Sequence, residues 1–315
     1  MPDGSKKKCL VLGGCGFIGS HIAENLVHFG HDVTIFDKVN VSETNVAKFR
    51  KNVRIITGDF TNETDVANSL DGIDVVFHLI GTTLPQNSMA NPEYDIESNI
   101  VATVRMLEAC VARGVKQVVF ASSGGTVYGI PHKLPIAEDH PTDPICSYGI
   151  TKLAIEKYLA LYHHLHGLDY RVFRFANPYG HRQSTTSAQG AIAVFLGRVL
   201  NDEPINIWGD GSVRRDYIFI SDAVNATVAG AFANIDSGVY NIGSGISISL
   251  NDLLMVIEKV TGKKPKVNYT ESRKIDVPEN VLDISKIKLV INWEPAIALE
   301  KGIAQTWKYL CEVGR

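Results

Sequence analysis

The stretch from Lys8 to Ser20, KCLVLGGCGFIGS, decides the fold. Its first half, Lys8–Gly13, is a short β-favouring apolar run; its second half opens an amphipathic helical pattern over Phe17–Phe29. Between them Gly13, Gly16 and Gly19 stand in a Gly-x-x-Gly-x-x-Gly pattern. Glycine permits a tight strand-to-helix turn and a close backbone approach to a bound group. The first helical amides, those of Phe17 and Ile18 among them, then point at negative charge, helped by the helix dipole. The next apolar run, Asp32–Asp37, ends in a carboxylate. Strand, glycine turn, helix, strand and acid, in that order, point to a dinucleotide site. Asp37 is placed to accept from ribose hydroxyls and to repel a 2′-phosphate, which favours NAD over NADP.

Outward from this unit the alternation continues. Val53–Thr57, Asp74–Leu79, Gln117–Ser122 and Tyr170–Phe175 read as strands, and Glu63–Leu70, Ile96–Arg113 and Tyr148–His166 as helices. Their continuous apolar character predicts strands buried on both faces, a parallel sheet covered by helices. After Asn177 the pattern is less regular, with helices over Gln189–Leu200, Asp222–Phe232, Leu250–Val260 and Leu299–Leu310 and a strand at Ile205–Trp208. The fold class expected is α/β: a Rossmann-type doubly wound parallel sheet over residues 1–176, with a smaller mixed α/β substrate-binding lobe over 177–315, some segments of which return to the sheet. No Pro/Gly linker marks the boundary, so an extensive shared interface is expected.

Composition narrows the class. Of 315 residues, 45% are hydrophobic and 21% charged, which argues against disorder. Lys and Arg number 31 against 34 Asp and Glu, a net charge of −3, so no broad basic face for nucleic acid or anionic membrane is expected. No apolar run is long enough to span a bilayer and no signal segment is visible, which gives an expectation of a cytoplasmic protein. The five cysteines are scattered without Cys-x-x-Cys spacing, so neither a disulfide framework nor a metal site is expected.

Several polar residues stand where chemistry is plausible. Tyr148 and Lys152 lie four apart in a helical pattern, on one face. A free phenol, with pKa about 10, is a poor base, but a nearby ammonium and a cationic nicotinamide both favour the phenolate. Tyr148 is then able to take a proton from an alcohol while hydride leaves for NAD. Asp59 is either an adenine contact or a helix cap or turn former. Asn99 either braces backbone near the nicotinamide or faces solvent. Phe60 and Leu79, at the ends of the third and fourth strands, are further cofactor contacts, and His78 reads as a core histidine.

Taken jointly, GGCGFIGS, Asp37, Gly58-Asp59, Asn99, Ser122-Ser123-Gly-Gly-Thr-Val-Tyr128-Gly, Tyr148-x-x-x-Lys152, Arg174–Gly180, Arg214–Asp216 and Arg273-x-x-Asp276 resemble an extended short-chain dehydrogenase/reductase, and within that group the UDP-galactose 4-epimerase family. The resemblance implies a Ser or Thr as third catalytic group at the end of the fifth strand. Counting back from Tyr128 places it on Gly124, a departure; with a local bulge Ser123 takes the role, with Thr126 in reserve. It implies that dehydratases and decarboxylases carry acidic residues in this loop, where this chain has Gly124, Gly125 and Thr126; elimination is disfavoured and a hydride out-and-back cycle remains. It also implies that Asn177 contacts substrate phosphates, that Arg215 and Arg273 bind the diphosphate, that Asp276 holds the uridine ribose, and that Asn206 and Trp208 edge the uracil. Asn280, four residues after Asp276, then borders the sugar pocket; lacking a ring, it leaves room for N-acetylhexosamines beside glucose and galactose.

The activity so implied is NAD-dependent 4-epimerisation of a UDP-hexose by a homodimer paired through the Ile96–Arg113 and Tyr148–His166 helices. The alternatives are a UDP-glucuronate 4-epimerase, with Arg182 as cation for carbon 6, or another NAD-dependent sugar-nucleotide enzyme. More remote is a non-enzymatic NAD-sensing module, relatives of which lose the Tyr/Lys pair.

Overall fold

The computed structural model describes residues 6–85, 87–187, 189–272 and 277–313. The first six strands are β1 (Lys8–Leu12), β2 (Asp32–Asp37), β3 (Val53–Thr57), β4 (Val75–His78), β5 (Gln117–Ser123) and β6 (Asp169–Phe175). They alternate with α1 (Phe17–His28), α2 (Glu63–Ser69), α3 (Pro92–Asp95), α4 (Ala102–Arg113) and α5 (Ser147–His166). The remainder comprises β7 (Asn177–Tyr179), α6 (Ala191–Leu200), β8 (Ile205–Trp208), β9 (Arg214–Phe219), α7 (Ile220–Phe232), β10 (Gly238–Ile242), β11 (Ser247–Ser249), α8 (Leu250–Thr261), β12 (Val267–Thr270), β13 (Glu279–Asn280), α9 (Ser285–Ile291) and α10 (Leu299–Val313).

A seven-stranded, all-parallel sheet runs β10-β6-β5-β4-β1-β2-β3. The chain fills one side of β1, then crosses to the other, so the strand order reverses between β1 and β4. Their C-terminal ends open a crevice at that switch point, where ligands of such sheets bind. The period-2 geometry of a strand sorts the core: Cys9 and Val11 of β1 face α1 and α7, while Leu10 and Leu12 face α2, α4 and α5. The cluster on the α1 side continues without a break into the second lobe through Ile192, Leu196, Ile205, Leu253 and Ile303. β10, from the C-terminal half, completes the main sheet beside β6.

Two local features differ from the sequence expectations. The segment expected as one helix over Ile96–Arg113 begins with a π-helical turn, Ile96–Val101, before α4. The extra residue in that turn lets Ser98 and Asn99 both bond toward the loop after β4. The bulge expected at Ser123 is absent: β5 pairs with β6 in unbroken register to Ser123↔Phe175, because the chain turns only after it, with the Thr126 and Val127 amides both donating to the Ser123 carbonyl.

Candidate active site

The glycine turn sits at the C-terminal end of β1. Gly13 has φ of +81°, and a Cβ at Gly19 would lie 2.2 Å from the Gly13 carbonyl oxygen, so α1 starts as close to the strand as backbone allows. α1 has Gly16 as N-cap, with no capping side chain and no acidic residue in its first turn. The early amides, including those of Phe17 and Ile18, therefore face no built-in anion. Asp37, ending β2, accepts from the Cys15 amide at 2.9 Å and from its own neighbour Lys38. Asn45 holds the Cys15 carbonyl at 3.0 Å. This pocket of amides, with a carboxylate one strand away, fits a dinucleotide. Asp59 bends its own turn, accepting from the Thr61 amide and hydroxyl at 2.8 Å each, while Asn62 is the cap of α2. Phe60 is buried against the His78 ring, and Leu79 begins the loop after β4.

His78 is buried and bonded to Thr103 at 2.9 Å; burial, with Lys152 nearby, lowers its pKa to about 3 and keeps it neutral. Asn99 is also buried: its Oδ1 accepts from the Thr82 amide at 3.0 Å and its Nδ2 donates to Asp95 and Thr82. It braces the loop after β4 from below.

Tyr148 and Lys152 share one face at the start of α5. Lys152 Nζ lies 5.6 Å from the Tyr148 ring centre, donates to the Ala121 carbonyl at 2.8 Å, and stands 4.6 Å from the Phe120 ring centre. Burial lowers the Lys152 pKa to about 8, against the opposing pull of Glu156 and Asp95. Burial pushes the Tyr148 phenol up, with Cys146 and Asp95 adding to it. The Tyr148 amide is held by Ser88 Oγ at 3.1 Å. A Cβ at Gly149 would meet the Thr126 carbonyl at 2.8 Å, so the 124–128 loop packs directly on this first turn.

In that loop the hydroxyls have separate fates. Ser122 donates to Glu156, itself held by Arg174 in a buried bidentate pair. Ser123 lies on the opposite strand face, half-buried, with no protein partner for its hydroxyl among the described residues. Thr126 Oγ1 is buried and unpartnered. A Cβ at Gly124 would lie 2.6 Å from a Leu282 methyl and 3.2 Å from the Phe175 carbonyl oxygen.

β9 gathers residues from distant parts of the chain. Asn177 on β7 pairs with it and donates to the Asp216 carbonyl at 2.8 Å. Arg215 on β9 donates to the carbonyls of Arg214 and Val277, at 2.8 and 2.6 Å. Asn280 on β13 sits opposite Arg215; it is buried, donates to the Gly124 carbonyl at 3.0 Å, and has an unpartnered Oδ1. Asn206 accepts from Asn268, and Trp208 ends β8 half in solvent. Arg273 and Asp276 lie outside the described residues. Arg182 is committed elsewhere: it pairs with Glu24 of α1 and lies over Phe49.

Four residues of this site escape motif reading: Thr83, Asp95, Ser147 and Thr151, which form one buried polar cluster. The signal available was spacing, an acid at position 95 with Ser98 and Asn99 three and four residues on.

The geometry has close counterparts. A putative UDP-glucose 4-epimerase of Methanocaldococcus jannaschii is 33% identical over 302 residues, 96% of this chain and 97% of that protein. The UDP-glucose 4-epimerase of Thermotoga maritima, solved with UDP-glucose, superposes with a TM-score of 0.93 at 33% identity, covering 98% of this chain and all of that one. A UDP-N-acetylglucosamine 4-epimerase from Methanobrevibacter ruminantium, in complex with UDP-N-acetylmuramic acid, gives 0.91 at 32% identity, over 98% and 99% of the two chains. The model of the NAD dependent epimerase/dehydratase family matches residues 9–243, a span that takes in the glycine turn, the Tyr148–Lys152 face and β9. With sequence, fold and site in agreement over that length, the chain belongs to the NAD dependent epimerase/dehydratase family.

Proposed function

We propose that the protein inverts carbon 4 of a UDP-hexose, with NAD held in the Gly13–Gly19 turn. One observation carries this reading: the Tyr148–Lys152 pair stands beside a loop, Ser123–Tyr128, that offers hydroxyls and glycines and no carboxylate. Such a site handles one proton at a sugar hydroxyl and has no acid in that loop to expel a leaving group. NAD, when bound, supplies a reversible hydride acceptor and a positive ring charge. Tyr148 takes the proton of the carbon-4 hydroxyl and later returns it. An ammonium on Lys152, 5.6 Å from the Tyr148 ring centre, works toward the phenolate that this requires, whereas burial, Cys146 and Asp95 oppose it. Ser123, whose hydroxyl is uncommitted, shares the hydrogen bond, with Thr126 next in line. Asp37 receives the adenosine ribose.

Asn177 and Arg215, joined through β9, suit the diphosphate, and Asn206 and Trp208 the uracil edge, with Arg273 and Asp276 in the roles the resemblance implies. Anchoring by the nucleotide leaves the hexose free to turn and present either face. Asn280, buried on β13, donates to the Gly124 carbonyl, and its Oδ1 has no accessible surface, so any bearing it has on N-acetylhexosamines runs through the placement of the Gly124 turn and not through direct contact. The pairing of Arg182 with Glu24 counts against it as the cation for a glucuronate carboxylate.

The test is to incubate the protein with UDP-glucose, UDP-galactose, their N-acetylated forms and UDP-glucuronate, without added reductant, and to resolve the epimers. Inversion of at least one hexose pair, and a loss of about 10²–10⁴-fold in Tyr148→Phe, is expected. Turnover of UDP-glucuronate alone, or a fully active Tyr148→Phe, contradicts the reading.

A further inference from the structure

Asp95 ends α3 with its side chain fully buried, and among the described residues its partners are all uncharged. Oδ1 accepts from Thr83 Oγ1 at 2.5 Å and from Asn99 Nδ2 at 3.0 Å. Oδ2 accepts from Ser147 Oγ at 2.7 Å and from Thr151 Oγ1 at 2.8 Å. A buried carboxylate is costly to desolvate, so four donors aimed at one such group call for an explanation beyond filling space.

The donors divide between two walls of the site. Ser147 and Thr151 directly precede Tyr148 and Lys152 and, four apart, share a helix face adjacent to theirs. Thr83 and Asn99 belong to the other wall, the loop after β4 and the π-helical turn beneath it. There Asn99 also receives the Thr82 amide, and Ser98 Oγ lies 2.6 Å from Thr82 Oγ1. One carboxylate is thus bonded to both walls. We propose that Asp95 is a positioning residue for the reaction, setting the first turn of α5, and with it Tyr148 and Lys152, against the loop after β4. The proposal rests on the reading of Tyr148 and Lys152 as the proton-handling pair.

Its charge acts on the same pair. The titratable groups facing Asp95 are Lys152, Tyr148 and Cys146, and those facing Lys152 include Glu156 and His78. A negative charge at position 95 makes both Lys152 and Tyr148 hold their protons more tightly. Removing it moves both titrations to lower pH.

Two variants separate bonds from charge. Asp95→Asn should lower kcat by about tenfold to a hundredfold, leave KM for the UDP-sugar within about threefold, and shift the pH optimum of kcat to lower pH by about half a unit or more. The double variant Ser147→Ala/Thr151→Val cuts the bonds to α5 but keeps the charge. It should lower kcat to a similar degree with the pH optimum in place. A double variant with wild-type kcat, or a folded Asp95→Asn whose pH optimum does not move, overturns the proposal; if Asp95→Asn does not fold, the double variant decides it. The tyrosinate difference spectrum of each protein against its Tyr148→Phe counterpart needs no substrate. Its midpoint should fall in Asp95→Asn and hold in the double variant. A shifted spectrum in a protein that turns over no UDP-sugar sinks the functional reading and not the placement of Asp95, whereas an unshifted Asp95→Asn spectrum sinks the placement alone.

Discussion

At Lys152 two demands oppose each other. The proposed reaction calls for an ammonium beside Tyr148, and burial resists it, lowering the pKa from 10.5 to about 8. Because the folded value lies below the unfolded one, the cost of the buried charge is fully present below pH 8 and is relieved as pH rises toward 10.5. Over that window the penalty fades and stability rises, while the charge that the proposed chemistry uses disappears. Turnover should therefore fall through an alkaline limb near pH 8 with no matching loss of melting temperature, and Lys152→Arg, which stays charged, should lack the limb. A limb only above about pH 10, the value of an unburied lysine, contradicts this assignment. Asn280 makes a second prediction at the same scale. Asn280→Ala fits the buried space and cuts the bond to the Gly124 carbonyl, so turnover of the N-acetylated sugars should fall by about tenfold or more relative to the plain hexoses. Equal weakening of all four substrates rules out a role in selecting the substituent at carbon 2.

Among the elements, the turn between β1 and α1 was the most legible in sequence, because its constraint is backbone geometry that only glycine meets. At Gly19 a Cβ would lie 2.2 Å from the Gly13 oxygen and 2.9 Å from the Gly14 Cα, both backbone atoms that cannot swing aside. Gly19→Ala must lift α1 off the strand. It should lower the melting temperature by several degrees and strip bound NAD, measured by denaturing the purified protein and analysing the supernatant; full NAD content with an unchanged melting temperature contradicts the packing. The strands of the main sheet were legible for a similar reason, since burial on both faces leaves a continuous apolar run. The short strands around β9 were not. β7, β11 and β13 carry two or three residues each, and their pairing is set by partners far away in the chain. The surroundings of position 124 were hidden for the same reason: a Cβ there would lie 2.6 Å from a methyl of Leu282, 158 positions further on. The Asp95 cluster escaped motif reading because its donors come from three separate segments: the loop after β4, the π-helical turn and the start of α5.

On the whole molecule, the outward face of α5 stands out. Ile150, Tyr158, Leu161 and Leu165 form an exposed stripe, Leu165 at 59% and Ile150 at 55%, while Thr151, Ile155, Leu159 and Tyr162 face inward. A stripe of this kind suits pairing with a second copy across a two-fold axis. The expected mass by light scattering at micromolar concentration is that of two chains, and Leu161→Glu/Leu165→Glu should halve it. A monomer from the unaltered protein contradicts the dimer. Among the described residues no helix is long and apolar enough to cross a membrane. β9 packs in the buried cluster on the α1 side of the main sheet, and α5, which carries Tyr148, packs in the cluster on the other side. The central claim for this arrangement is that the hydrogen at carbon 4 leaves and returns within one closed site. The direct measurement uses UDP-glucose and UDP-N-acetylglucosamine deuterated at carbon 4, with the products read by NMR. Inverted product that keeps its deuterium at carbon 4 in ordinary water is expected, whereas loss of the label to solvent, or deuterated sugar recovered without inversion from both substrates, contradicts a closed hydride cycle.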